Sequence, residues 1–262
     1  MRHLASLLSL TLLTALLVPV LQVATTASQP PEFVEETGSW QALAIVSRIE
    51  ERPEMTTLPP PLSSSRRLAQ ANSPSARQAE AERLLQQGIE QYRVSQFREA
   101  LQSWEQALEI YRAIGNRTGE GIALGNLGIA YRNLGQYEQA IDLYQQQLTI
   151  TQEIGDRAGE GRALGNLGVA YRNLGQYERA IDLYQQQLTI TQEIGDRAGE
   201  GAALGNLGVA YDNLGQYERA IDLHKQSLAI ARDIGNHVGE GTALGNLGLA
   251  YYSLSDYDQA ID

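Results

Sequence analysis

A 40-residue period constrains this chain more than any other feature. Gly88, Gly128, Gly168, Gly208 and Gly248 stand 40 residues apart. Residues 121–160 and 161–200 differ only at Ile122/Arg162, Ile129/Val169 and Gln139/Arg179. The next pair, 161–200 and 201–240, shares 28 of 40 residues. The copy around Gly88 is more divergent, and the last begins near Asn236. A unit this short cannot enclose a core alone, so neighbouring copies must stack.

Each unit reads as two helices. In the third copy Asp156 is suited to cap a first helix, because its carboxylate accepts an orphan backbone N–H. Leu164, Leu167, Tyr171 and Leu174 then fall at spacings of three and four and make one apolar stripe. Gly175 supplies a stop, since glycine tolerates the left-handed conformation that ends helices. Tyr177, Ala180, Ile181, Tyr184 and Leu188 form the stripe of a second helix, which Gly195 ends. Gly168 and Ala180 are small residues on facing stripes and permit close approach. The glycines oppose this reading at first sight, because they number 25. Gly155 and Gly175 fit stops and Gly168 fits a helix contact. Gly159, Gly161 and Gly165 fall in the first turns of a helix, where each costs up to about 1 kcal/mol against alanine. The sequence offers no reason for these three.

Leu167-Gly168, Tyr171, Gly175, Tyr177 and Ala180 recur in place from copy to copy. This pattern resembles the tetratricopeptide repeat. The first copy keeps Gly88, Phe97, Ala100, Trp104 and Ala107, with Gln91 and Ser95 at the Tyr and Gly positions. The segment GEGxALGNLGxAY is similar to the 40-residue subtype of G-protein-signalling modulators and kinesin light chains. The resemblance implies an all-α fold, a right-handed superhelical solenoid of antiparallel helix pairs. It spans 77–262 as about four and a half repeats, the last one truncated.

A second stripe on the first helix is offset from the core stripe. In the third copy it carries Arg162, Asn166, Val169 and Asn173, with Arg172 beside it. The second copy offers Ile122, Asn126, Ile129 and Asn133, with Arg132. The fourth has Ala202, Asn206, Val209 and Asn213, with Asp212; the fifth has Thr242, Asn246, Leu249 and Ser253, with Tyr252. The resemblance implies that this stripe lines a concave groove. Asn126, Asn166, Asn206 and Asn246 would then form a ladder of amides, each both donor and acceptor, suited to a peptide backbone. Arg132, Arg162 and Arg172 would favour carboxylates on an acidic ligand. The same amides could instead bond neighbouring helices, and the arginines could pair with Glu160, Glu178 or Glu200 on the surface.

Outside the repeats the chain changes character, and all eight prolines lie between Pro19 and Pro74. Arg2 and His3 precede an apolar run from Leu4 to Val18, and small residues follow from Ala24 to Ser28. That order is expected of a secretory signal over 1–27, cleaved after Ala27. Retention as a membrane anchor is the alternative. The repeats would lie outside the cytoplasm in either case, in the periplasm, in the extracellular space or facing outward. Residues 28–76 read as a Pro/Ser-rich linker.

Chemistry is sparse. The absence of cysteine excludes disulfides and thiolate metal sites. A net charge of -11 disfavours nucleic acid. His224 and His237 replace Tyr184 and Arg197 of the previous copy and are expected on the solvated surface, with no catalytic, metal or cofactor role. Asn116-Arg117-Thr118 matches a glycosylation acceptor. The expectation is an exported, non-enzymatic scaffold for protein or peptide partners. Two alternatives stand beside it. One is a regulatory or recruiting arm of a longer enzyme, such as one carrying a caspase-like CHAT domain beyond residue 262. The other is a structural or self-associating spacer, joined through an open C-terminal end where Leu244, Leu247 and Tyr251 would be partly uncovered.

Overall fold

The computed structural model of the chain describes residues 73–261. The expected signal segment and residues 28–72 of the expected linker lie outside the described residues. Among the described residues ten helices follow one another: α1 (Pro74–Arg93), α2 (Phe97–Ile114), α3 (Arg117–Asn133), α4 (Tyr137–Glu153), α5 (Arg157–Asn173), α6 (Tyr177–Ile194), α7 (Arg197–Asn213), α8 (Tyr217–Asp233), α9 (His237–Ser253) and α10 (Tyr257–Ile261). Each helix packs on the next, and no strand occurs among the described residues. This is the all-α solenoid of helix pairs that the period demands.

Local chemistry sets the boundaries. Ser73 caps α1, accepting a hydrogen bond from Ala76 N, and Pro74 takes the first helical position, where no N–H is needed. Asn116, Asp156, Asp196 and Asn236 cap α3, α5, α7 and α9; each side-chain oxygen accepts from the backbone N–H three residues on. Both ends of the Asn116 amide are engaged, because its Nδ2 also donates to Gln78 Oε1 at 2.9 Å. This segment of the acceptor motif is therefore built into the fold. Helices end as expected of a left-handed glycine. Gly175 has φ +72°, and Gln176 N donates back to Tyr171 O at 2.9 Å. In the first repeat Ser95 takes that conformation, at φ +61°.

The core lies between the two helices of a pair and between successive pairs. Leu124, Leu127 and Ala130 of α3, and their counterparts 40 and 80 residues on, are buried. Burial of one such leucine stabilises by about 2 kcal/mol. One slot repeats along the stack. Trp104, Tyr144, Tyr184 and His224 each press a ring against a glycine of the preceding helix: Gly88, Gly128, Gly168 and Gly208. A Cβ at Gly168 would stand 2.4 Å from Tyr184 Cε1, so the close contact predicted there is with the ring rather than with Ala180.

The unexplained glycines have the same kind of cause. A Cβ at Gly159 would meet the capping Asp156 carboxylate at 2.2 Å and Thr151 Cγ2 at 2.7 Å. One at Gly165 would meet the Gln187 amide at 2.7 Å, and one at Gly161 would touch Ile190 at 3.4 Å. Close packing of the second helix on the first offsets the propensity cost.

Candidate functional site

Consecutive first helices touch one another directly: α3 with α5, α5 with α7, and α7 with α9. The first helices therefore form a continuous layer, and their faces away from the second helices share one surface. Asn133 Nδ2 of α3 donates to the Tyr92 hydroxyl of α1, which ties these two first helices together at this edge.

The predicted residues divide into groups on this surface. Asn126, Asn166 and Asn206 are half-buried, and none of their amides has a hydrogen-bond partner among the described residues. Asn246 is in line with them but is buried, at 5% exposure. Asn133, Asn173 and Asn213 are exposed, and Asn213 Nδ2 turns back to Val209 O of its own helix at 2.8 Å. Arg132 and Arg172 are half-buried, whereas Arg162 is exposed and lies 3.7 Å from Asp156 Oδ2. Val169 is buried and Ile129 half-buried in contact with core residues. These two side chains pack between helices, whereas Leu249 at the same repeat position is 51% exposed.

A row crosses five helices at 40-residue steps: Tyr92, Arg132, Arg172, Asp212 and Tyr252. Two cations are followed by one anion, with a tyrosine at each end. Tyr92 is fixed against the rings of Phe97 and Trp104, with centroids 5.3 and 5.9 Å away. Tyr252 is 64% exposed.

Asp212 is held by a residue that the sequence reading misplaces. His224 was expected on the surface, but it is fully buried. It occupies the ring slot, in line with Tyr144 and Tyr184, and its Nε2 lies 3.0 Å from Asp212 Oδ2. A carboxylate only accepts, so the hydrogen sits on Nε2. His224 Nδ1 and Asp212 Oδ1 are buried without a partner among the described residues. The signal was visible as a paired exchange. Where earlier copies have Arg132 with Tyr144 and Arg172 with Tyr184, this one has Asp212 with His224. His237, by contrast, is exposed as expected.

Ion pairs also recur at the helix starts. Arg117 binds Glu120 at 2.6 Å and also Glu153; Arg157 and Arg197 repeat the contact with Glu160 and Glu200. Glu120 is buried, and Arg112 reaches it as well, at 2.9 Å. Burial raises its pKa, but hydrogen bonds from Arg112 and Arg117 outweigh this and hold the carboxyl below its ordinary range. Glu138, Asp142, Glu178, Asp182, Glu218 and Asp222 are exposed, which suits solvated faces. No group of three or more metal-ligating side chains occurs among the described residues.

A layer of first helices, backed by second helices and bearing a polar row, defines an all-helical repeat protein of the kind that acts as an interaction scaffold. A family model for the tetratricopeptide repeat matches residues 91–153, 159–233 and 200–262. The chain belongs to the tetratricopeptide repeat family. Among solved structures, BtubC (BKLC) from P. vanneervenii is 23% identical over 75% of this chain and 81% of its own, with a TM-score of 0.65. A Podosopora anserina kinesin-light-chain structure of nearly identical TPR-like repeats is 22% identical over 72% of this chain and 92% of its own, with a TM-score of 0.59. A Rap protein complexed with competence and sporulation factor is 18% identical over 70% of this chain and 51% of its own, with a TM-score of 0.62. These likenesses establish the fold. No curated protein matches the chain.

Proposed function

We propose that the chain is an exported, non-catalytic scaffold that binds an extended segment of a partner protein along its layer of first helices. The observation that carries this reading is the column Asn126, Asn166 and Asn206. Three half-buried amides in equivalent places have no partner among the described residues. Polar side chains that serve only to join helices would be bonded to them. An extended peptide supplies the missing donors and acceptors at regular intervals. The Rap protein of similar fold, complexed with competence and sporulation factor, supports a protein partner. Export rests on the order of residues 1–28, and a mature chain that still begins at Met1 would sink the cleavage.

The groove is tested by selecting 12-residue peptides from a display library and measuring them against the triple variant N126A/N166A/N206A. Each lost hydrogen bond costs about 1 kcal/mol. Selected peptides should therefore weaken by at least about tenfold, given partial additivity. Peptides that bind the triple variant as well as the parent would refute this surface.

A further inference from the structure

The row Tyr92, Arg132, Arg172, Asp212, Tyr252 inverts its charge at the fourth repeat, and the inversion is built into the core. An aspartate in place of an arginine at an exposed site would be ordinary surface drift. Here the change comes with a second one, 12 residues on, that removes the aromatic ring of the preceding copies and inserts a fully buried imidazole. The imidazole holds the carboxylate through the 3.0 Å contact between Nε2 and Oδ2. The carboxylate is thereby fixed on the layer of first helices, with 23% of the side chain exposed. Its other oxygen, Oδ1, is buried and has no donor among the described residues, so a ligand meets the fixed negative charge of this side chain and not that oxygen. A negative charge held in place at the surface fits a cationic group on a ligand.

We infer that the groove selects a segment with mixed charge in a fixed order: two carboxylates facing Arg132 and Arg172, then a lysine or arginine facing Asp212. Apolar side chains on either flank would meet Tyr92 and Tyr252. This inference rests on the groove reading above and adds the chemistry of the occupant. Packed helices lie about 8–10 Å apart, and an extended chain advances about 3.3 Å per residue, so one repeat corresponds to about three ligand residues. The matching segment is Leu-x-x-Glu-x-x-Glu-x-x-Lys-x-x-Leu, in one of the two chain directions. His224 acts here as a positioning residue.

The test uses fluorescein-labelled 13-residue peptides of this pattern, in both directions, with serine at x. Their three central charges are Glu/Glu/Lys, Glu/Glu/Glu or Lys/Lys/Glu. Binding is read by anisotropy on the whole chain at low salt. The Glu/Glu/Lys peptide should bind at least about tenfold tighter than Lys/Lys/Glu, because charged hydrogen bonds are the stronger kind. Two variants then separate the explanations. D212R/H224Y restores the pair present at 172 and 184, so it is compatible with the fold, and it should shift preference to Glu/Glu/Glu. D212N keeps an acceptor for His224 but removes the charge, and should abolish the preference for lysine. A ranking unchanged in both variants overturns the charge order and leaves the groove reading standing. No binding by any of these peptides to the parent chain also overturns the charge order, and the groove reading is decided separately by the display selection against N126A/N166A/N206A.

Discussion

Alanine placed at one repeat position in four helices separates helix propensity from helix packing. The position is that of Gly125, Gly165, Gly205 and Gly245. All four lie inside helices, in α3, α5, α7 and α9, so each substitution gains about 1 kcal/mol from propensity. What the new methyl meets differs. At Gly125 and Gly165 it would stand 2.6 and 2.7 Å from the amide nitrogens of Gln147 and Gln187. Those glutamines are only 7% and 8% exposed, so they cannot swing aside freely. Overpacking of this kind costs about 1–3 kcal/mol. At Gly205 the neighbour is Ser227 Oγ at 3.4 Å, an ordinary contact, and at Gly245 nothing lies within 4 Å. Gly245→Ala should therefore stabilise by about 1 kcal/mol and Gly205→Ala by slightly less. Gly125→Ala and Gly165→Ala should range from neutral to about 2 kcal/mol destabilising. Urea midpoints give the order, and hydrogen exchange in the substituted helix gives the local effect, because repeat arrays need not unfold in one step. Equal shifts at all four positions, or a gain at Gly125 as large as at Gly245, would refute the packing explanation.

Two further predictions concern the backbone and titration. Ser95→Gly relieves a left-handed residue and should stabilise by about 0.5–1 kcal/mol, less than the full strain because glycine also loosens the unfolded chain; no gain in melting temperature would count against this. Glu120 has a lowered carboxyl pKa, so its contribution is present above the unfolded carboxylate value near ~4 and is lost as pH falls through the lowered value. The stability gap between parent and Glu120→Gln should close on acidification, and a gap that stays constant with pH would refute it. Tyr111 shows the opposite edge. Burial, then the charge of Glu82, pushes its pKa up to about 12. Stability should therefore fall as pH rises from ~10 towards that value, and less so in Tyr111→Phe.

The fold was legible because its signals are local or periodic. Asp156, Gly175 and the stripe of Leu164 and Leu167 act within a few residues of one another, and the period carries them along the chain. The reasons for Gly159, Gly161 and Gly165 were not legible, since two of them involve Gln187 and Ile190 of the following helix. The stripe placed Asn126, Asn166 and Asn206 together, but not the burial of Asn246 or Val169, which depends on how successive pairs meet. The misplacement of His224 is instructive. Its slot was readable as core from Tyr184, yet the usual solvation of histidine suggested the surface. Position outweighed residue type, because a buried imidazole is tolerable when a carboxylate 12 residues away accepts its hydrogen. At the far end, Leu244 is 44% exposed as expected, whereas Leu247 stays buried.

The second and third units differ at three residues in 40, which makes that stretch of the array close to a one-dimensional lattice. A guest held only by the recurring asparagines would have several equivalent berths and could slip by one unit at no energetic cost. The exchange of Arg172 and Tyr184 for Asp212 and His224 breaks that translational symmetry at one point. It gives the lattice an origin. Because the mark is anchored in the packed interior and not painted on the outside, a berth counted from it has a fixed phase along the stack.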